Sequence, residues 1–206
     1  MPMTFPAHQG LILPAVYRWP NSLDALALSV GAAMPDITDT VLSFPINGYF
    51  QQWYGHALIG IFTLDLAGGL FLTWIIASFA KRLFKDSNVP KYLQVFFTKE
   101  QRKTRSTVDK SRNPLRLWSF SVLVGILSHI GFDLISHDTN LLFYPWVKDP
   151  HWYPDWWYTK WFAIRPLHAF GRSYSVGVFS IIWMLLTLVG TISFIQFLRP
   201  KHKDKI

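Results

Sequence analysis

A chain of 206 residues holds one domain or two small ones, and with 50% hydrophobic against 16% charged residues it is far poorer in charge than the roughly 25% typical of soluble domains, which points to a membrane. The absence of cysteine excludes disulfides and thiolate metal sites, so any metal must be held by His, Asp, Glu or backbone oxygen. A net charge of +8 would suit nucleic acid, but eleven Lys or Arg lie between Lys81 and Arg116 and more in the tail RPKHKDKI, both beside long apolar segments. Cytoplasmic anchoring by the positive-inside rule explains them without a phosphate-reading surface.

The first residues, MPMTFPAHQG, lack the basic start and apolar core of a cleavable signal peptide, and none is expected. His8 to Trp19 and Ser22 to Met34 are two short apolar segments separated by Pro20-Asn21, with Ser22 as the expected N-cap of the second. At about 1.5 Å per residue each reaches only about 20 Å, so they form either one kinked crossing or a hairpin. The hairpin puts Arg18 at an inward-pointing tip. Met34-Pro35-Asp36 is expected to end the second segment, and Asp36 to Gly55 to form a polar and aromatic loop.

Ala57 to Ala80 reads as the first full transmembrane helix, closed by Lys81-Arg82 and carrying Asp65 inside its apolar run. The basic stretch after it has no sustained apolar period and is expected to be a cytoplasmic loop over 81–116. Leu117 to Ser136 is the second span. A loop over 138–175 follows, rich in Trp and Tyr as chain at the headgroup level is, and Val176 to Leu198 is the third span. With both basic clusters in the cytoplasm, His56, His137 and His168 fall at extracytoplasmic helix ends, and the Asp36 loop lies on the same side.

The chemistry concentrates in SHIGFDLISH, residues 128–137. His129, Asp133 and His137 are spaced i, i+4, i+8; at about 100° per residue they drift only about 80° and project from one helix face, where they can share a divalent cation. Asp133, between two histidines, is able to bridge two ions. The bland reading is a hydrogen-bonded cluster at a helix end, but ionisable residues inside an apolar span are costly and usually functional. Topology adds Asp36, His56 and His168 on the same leaflet, and His8 as well if the first two short segments form the hairpin. A ligand set of imidazoles and carboxylates without sulfur suits Zn²⁺ or a similar divalent ion, and an incomplete shell leaves a place for a water of lowered pKa, a hydrolytic nucleophile. Arg172 and Ser175, in LHAFGRSYSVG, are candidates for gripping a phosphate or carboxylate, with interfacial anchoring as Arg172's plain alternative. Asp65, about 180° from His56 on an ideal helix, is expected to make a buried polar contact elsewhere. His151 and His202 are read as interfacial residues outside the site.

TFPAH, then an apolar segment ending in MPD, then GHALIG opening a helix, then SHIGFDLISH, in that order, resembles the bacterial membrane family catalogued as domain of unknown function 4184. That family is similar to inner-membrane proteins described as metal-dependent hydrolases, which share the order His, Pro-Asp, His, His-x3-Asp, and more remotely to the zinc-dependent phospholipase C and nuclease fold. The resemblance implies His8, Asp36, His56, His129 and Asp133 as metal ligands, with His137 and His168 as further candidates. The chain departs from the soluble zinc enzymes in its closer second histidine after Asp133 and in having no counterpart of their last glutamate.

The expected architecture is an all-α integral membrane helical bundle, a single domain with three long transmembrane helices and an N-terminal pair of shorter ones, in the bacterial cytoplasmic membrane with the site facing outward. Its expected function is a metal-dependent hydrolase of a phosphoester or other ester of a lipid-like or envelope substrate, with membrane lipids and no nucleic acid as partners. The competing class is a non-enzymatic membrane protein with a structural metal or polar cluster; a transporter using Asp65 and Asp133 as a proton relay is a third reading, disfavoured because no inverted repeat is visible.

Overall fold

The computed structural model describes residues 5–43, 54–84, 89–97, 113–137, 142–143, 146–147, 152–164 and 174–199. The helices are α1 (Ala7–Ile12), α2 (Ala15–Arg18), α3 (Ala25–Gly31), α4 (Met34–Ser43), α5 (Leu58–Leu83), α6 (Gln94–Phe97), α7 (Pro114–Ser136), α8 (Asp155–Tyr158) and α9 (Val178–Leu198). Three of these, α5, α7 and α9, are long and apolar enough to cross a membrane. Their outward surfaces carry Phe62, Phe71, Trp74 and Phe79 on α5 and Met184, Leu185, Leu188 and Ile192 on α9, all exposed. In the most apolar window of α9 just 11% is buried within the protein, a surface that lipid solvates and water does not. The all-α bundle with three long helices and shorter N-terminal ones is therefore as the hydropathy pattern indicates.

The N-terminal segments run as a hairpin down one side of the bundle and back. His8 lies beside Asp133 at one end of α7. Further along, Leu13, Val16, Leu23, Ala25 and Leu28 pack with Phe194 and Phe197 at the far end of α9. Residues 17–22 around Arg18 form the exposed tip, and α3 climbs back until the Ala32 carbonyl meets His129. Pro14 divides the first arm into α1 and α2, as proline does wherever a helix must lose a backbone donor. The N-cap of α3 is Asp24 rather than the expected Ser22: its carboxylate accepts from Ala27 N at 2.9 Å, while its own backbone N–H donates to Ser121 Oγ of α7 at 2.8 Å.

Two backbone contacts set the spacing. A Cβ placed on Gly10 would sit 1.7 Å from the Gly190 carbonyl oxygen, and one on Gly190 would sit 2.3 Å from that of Ala7, so α1 and α9 touch main chain to main chain. On the other side, Ala27, Val30, Met34, Ile61, Val122, Ile126 and Ile130 form the core joining α3, α5 and α7.

The expectation that Met34-Pro35-Asp36 ends a helix is corrected. The chain bends by 44° between α3 and α4 and then continues as helix from Met34 to Ser43, with Asp36 in its first turn. Proline is tolerated there because a first-turn residue has no intrahelical acceptor for its N–H. The Trp-rich loop also holds more order than its composition foretells: β1 (Phe162–Ile164) pairs antiparallel with β2 (Tyr174–Val176), Phe162 opposite Val176. Tyr158 Oη accepts from the N–H groups of Trp152 and Tyr153 at 2.9 and 3.2 Å, and Trp146, Trp152, Trp156 and Trp161 remain exposed.

Candidate metal centre

The site forms where α1, α4, the start of α5 and the end of α7 meet. Gly55 makes the meeting of α4 and α5 possible, since a Cβ on it would lie 2.3 Å from the Pro35 carbonyl oxygen. Its N–H donates to Asp39 Oδ1 at 2.7 Å, and the next residue, His56, bonds Asp39 Oδ2 through Nδ1 at 2.7 Å. The MPD and GH stretches are thus locked to one another by main chain and side chain together.

His56 Nε2 then lies 3.2 Å from His129 Nε2 and 3.1 Å from Asp133 Oδ2, and His129 Nε2 lies 3.3 Å from the same oxygen. Asp36 Oδ1 is 3.9 and 3.8 Å from the two Nε2 atoms. On the other side of Asp133, His8 Nε2 and His137 Nδ1 are 3.3 and 3.4 Å from Oδ1. Six of the seven sequence-derived ligand candidates, His8, Asp36, His56, His129, Asp133 and His137, therefore come together. The seventh, His168, lies outside the described residues, as do Arg172, His151, His202 and the side chain of Ser175.

Hydrogen bonds fix the rings. A carbonyl oxygen can only accept, so the 2.8 Å contact with Ala32 O puts the proton of His129 on Nδ1 and turns a lone pair of Nε2 into the cluster. Asp39 does the same for His56, receiving the Nδ1 proton and leaving Nε2 aimed at the same point. Two nitrogen lone pairs and a carboxylate oxygen at such separations repel one another unless a positive charge stands between them. Zn²⁺ with bonds of about 2.0–2.1 Å in a tetrahedral shell spaces its ligand atoms about 3.3 Å apart, close to the three short separations here. The donor set and its spacing fit a divalent ion.

Protonation behaves accordingly. Burial opposes charge on His56, but its hydrogen bonds to Asp133 and Asp39 and their charges outweigh burial and raise its pKa to about 10, so a proton takes the place a cation would fill. For His8, burial dominates over the nearby Asp133 and lowers the pKa, which keeps the imidazole in the neutral form that binds metal.

Sequence reasoning missed Asp39. Its signal was the i, i+3 spacing from Asp36, visible once the segment is helical and invisible while it is read as a loop. Asp65 behaves as expected: fully buried at the end of a π-helical stretch, Ile61–Asp65, it accepts from Thr38 Oγ1 at 2.5 Å and forms a polar contact between α4 and α5.

No curated protein and no solved structure matches the chain. Residues 1–201 match the family described as Domain of unknown function (DUF4184), and over that near-complete length the chain belongs to it.

Proposed function

We propose that the protein is a membrane-bound, divalent-metal-dependent hydrolase, with zinc as the expected ion, acting on a phosphoester or other ester of a lipid-like or envelope substrate. The observation that carries the reading is the convergence of the Nε2 atoms of His56 and His129 on Asp133 Oδ2, each ring held by a hydrogen bond on its far nitrogen. A divalent ion bound there supplies Lewis-acid polarisation of an ester oxygen and a lowered pKa for attacking water. The chain's own part is positioning. Asp39 and the Ala32 carbonyl orient the two imidazoles, His8 and His129 close the inner side at 1% exposure, and Asp36, His56 and His137 form the open edge at 16, 19 and 20%. An open edge suits catalysis, whereas structural sites are closed. By the positive-inside rule, the basic stretch 81–116 and the basic tail support an orientation with the opposite ends of the long helices in the cytoplasm and this edge outward, which we read as that of a bacterial cytoplasmic membrane protein. Arg172 and Ser175, just before α9 in the sequence, are the candidates for gripping an anionic substrate group, and His168 is a further candidate ligand.

A structural role for the same cluster is favoured by one fact: its candidate ligands come from α1, α4, the turn before α5 and the end of α7, which an ion would tie together. Metal analysis of the detergent-purified protein, followed by stripping with chelator, separates the two. Hydrolysis of phosphoester and carboxylic ester probes that is lost on stripping and restored by zinc, with helicity by circular dichroism unchanged, supports the enzyme; loss of helicity with no hydrolysis at any stage supports the staple.

A further inference from the structure

Asp133 sorts the histidines into two sets. Its Oδ2 faces His56 and His129 at 3.1 and 3.3 Å, and its Oδ1 faces His8 and His137 at 3.3 and 3.4 Å. The first set is well supplied with hydrogen bonds on its outer nitrogens. In the second set His137 Nδ1 also lies 3.1 Å from Ser136 Oγ, but His8 is 1% exposed, and neither its two ring nitrogens nor Asp133 Oδ1 has a hydrogen-bond partner. A buried imidazole aimed at a buried carboxylate oxygen without hydrogen-bond geometry is an arrangement that protein structure avoids unless something binds between them.

Packing shows that the arrangement is held in place. The His8 ring stacks on that of His129 with centroids 3.8 Å apart and planes 22° apart, so the two nearly parallel rings present Nε2 atoms to different oxygens of one carboxylate. The main-chain contact of Gly10 with Gly190, two residues beyond His8, holds α1 close against α9, and the His8 side chain is buried at 1% exposure. His137 closes this side from the end of α7, at the residue following its last helical position.

We propose that Asp133 bridges two divalent cations, the first held by Asp36, His56, His129 and Oδ2, the second by His8, His137 and Oδ1, and that the pair receives a substrate phosphate through two of its oxygens. This rests on the metal reading above and narrows its substrate class from esters in general to phosphoesters. A pair of ions held there would clamp the attacking and departing oxygens of an in-line displacement at phosphorus, as two-metal sites with ions about 3.5–4 Å apart do. In the balanced reaction the oxygen of water joins phosphorus, the ester P–O bond breaks with its electron pair going to the alcohol oxygen, and one proton from water ends on that alcohol.

The test is stoichiometry and coupling rather than rate. Full-length protein in detergent, loaded with Zn²⁺ or Mn²⁺, is expected to hold two ions per chain by elemental analysis, and the manganese form to give the exchange-coupled spectrum of a bridged pair in electron paramagnetic resonance. His8→Ala and, as a second variant at the surface end, His137→Ala should each retain one ion with an uncoupled spectrum, and bind inorganic phosphate at least tenfold more weakly than the parent, with circular dichroism unchanged. One ion in the parent at saturation, or two coupled ions in both variants, overturns the proposal. Two coupled ions in a protein that hydrolyses no phosphoester would sink the hydrolase reading and leave the paired site standing; one ion with active hydrolysis would do the reverse.

Discussion

The Nε2 atoms of His56 and His129, 73 residues apart in the chain, face each other at 3.2 Å with Asp133 Oδ2 within 3.3 Å of both. Each ring is anchored from behind, one by the Asp39 carboxylate and the other by the Ala32 carbonyl. The arrangement is preorganised for a cation, since no side chain has to turn for the lone pairs to meet.

Removing the shared carboxylate should empty the site. Asp133→Asn is expected to lose most bound metal while the protein stays inserted and helical, because the amide keeps the shape and removes the charge; His129→Ala should behave alike. His151→Ala serves as the control and should leave metal content unchanged. Full retention of metal by Asp133→Asn would place the ion elsewhere.

Asp39 bonds His56 on the ring nitrogen that faces away from the cluster, so its loss should weaken metal binding rather than abolish it. Asp39→Asn keeps an oxygen for His56 Nδ1–H but loses the charge, and affinity is expected to fall about 10–100-fold, the usual cost of losing such a support. A competition titration against a chromophoric chelator reads the change. An unaltered dissociation constant would mean that the His56–Asp39 bond is incidental.

Metal uptake should depend on pH with a definite sign. The pKa of His56 rises from 6.5 to about 10, so the metal-free protein carries that proton at neutral pH and an incoming ion must expel it. Apparent affinity should therefore rise about tenfold per pH unit through that window, with one proton released per ion at this residue, and level off above it. The proton's own contribution to the stability of the metal-free form is complete below the unfolded value and fades as pH climbs through about 10. Calorimetry in buffers of different ionisation enthalpy counts the proton; zero release at pH 8 would contradict the assignment.

Helix contact at Gly190 should be intolerant of even one methyl. Gly190→Ala pushes a Cβ to 2.3 Å from the Ala7 carbonyl oxygen, and the forced separation of α1 from α9 is expected to cost about 1–3 kcal/mol. Thermal denaturation in detergent measures it. Gly131→Ala, where a Cβ meets nothing within 4 Å, is the matched control.

Orientation is open to labelling, and the natural absence of cysteine makes the background silent. A cysteine introduced at Asp155 should react with an impermeant reagent in intact cells, and one at Arg105 should react only after lysis. The opposite pattern would put the basic segments outside and the metal centre inside.

Hydropathy and spacing, both properties of neighbouring residues, determined the three long helices and the common face of His129, Asp133 and His137: a run of apolar side chains needs a span's length, and residues four apart on a helix must share a side. The order of the motifs, with the charge rule, also brought His8, Asp36 and His56 to that end of the bundle. Tertiary structure alone decided the rest. Whether Pro35 stops a helix or begins one depends on what the first-turn donors meet, and Asp39 becomes the support of His56 only after that choice is made. Gly10 and Gly190 carry no local signal at all, because a glycine that admits another backbone looks in sequence like any other. The division of four imidazoles between the two oxygens of Asp133 belongs to the same class: it is a matter of a few tenths of an ångström among side chains up to 129 residues apart, which packing fixes and periodicity cannot.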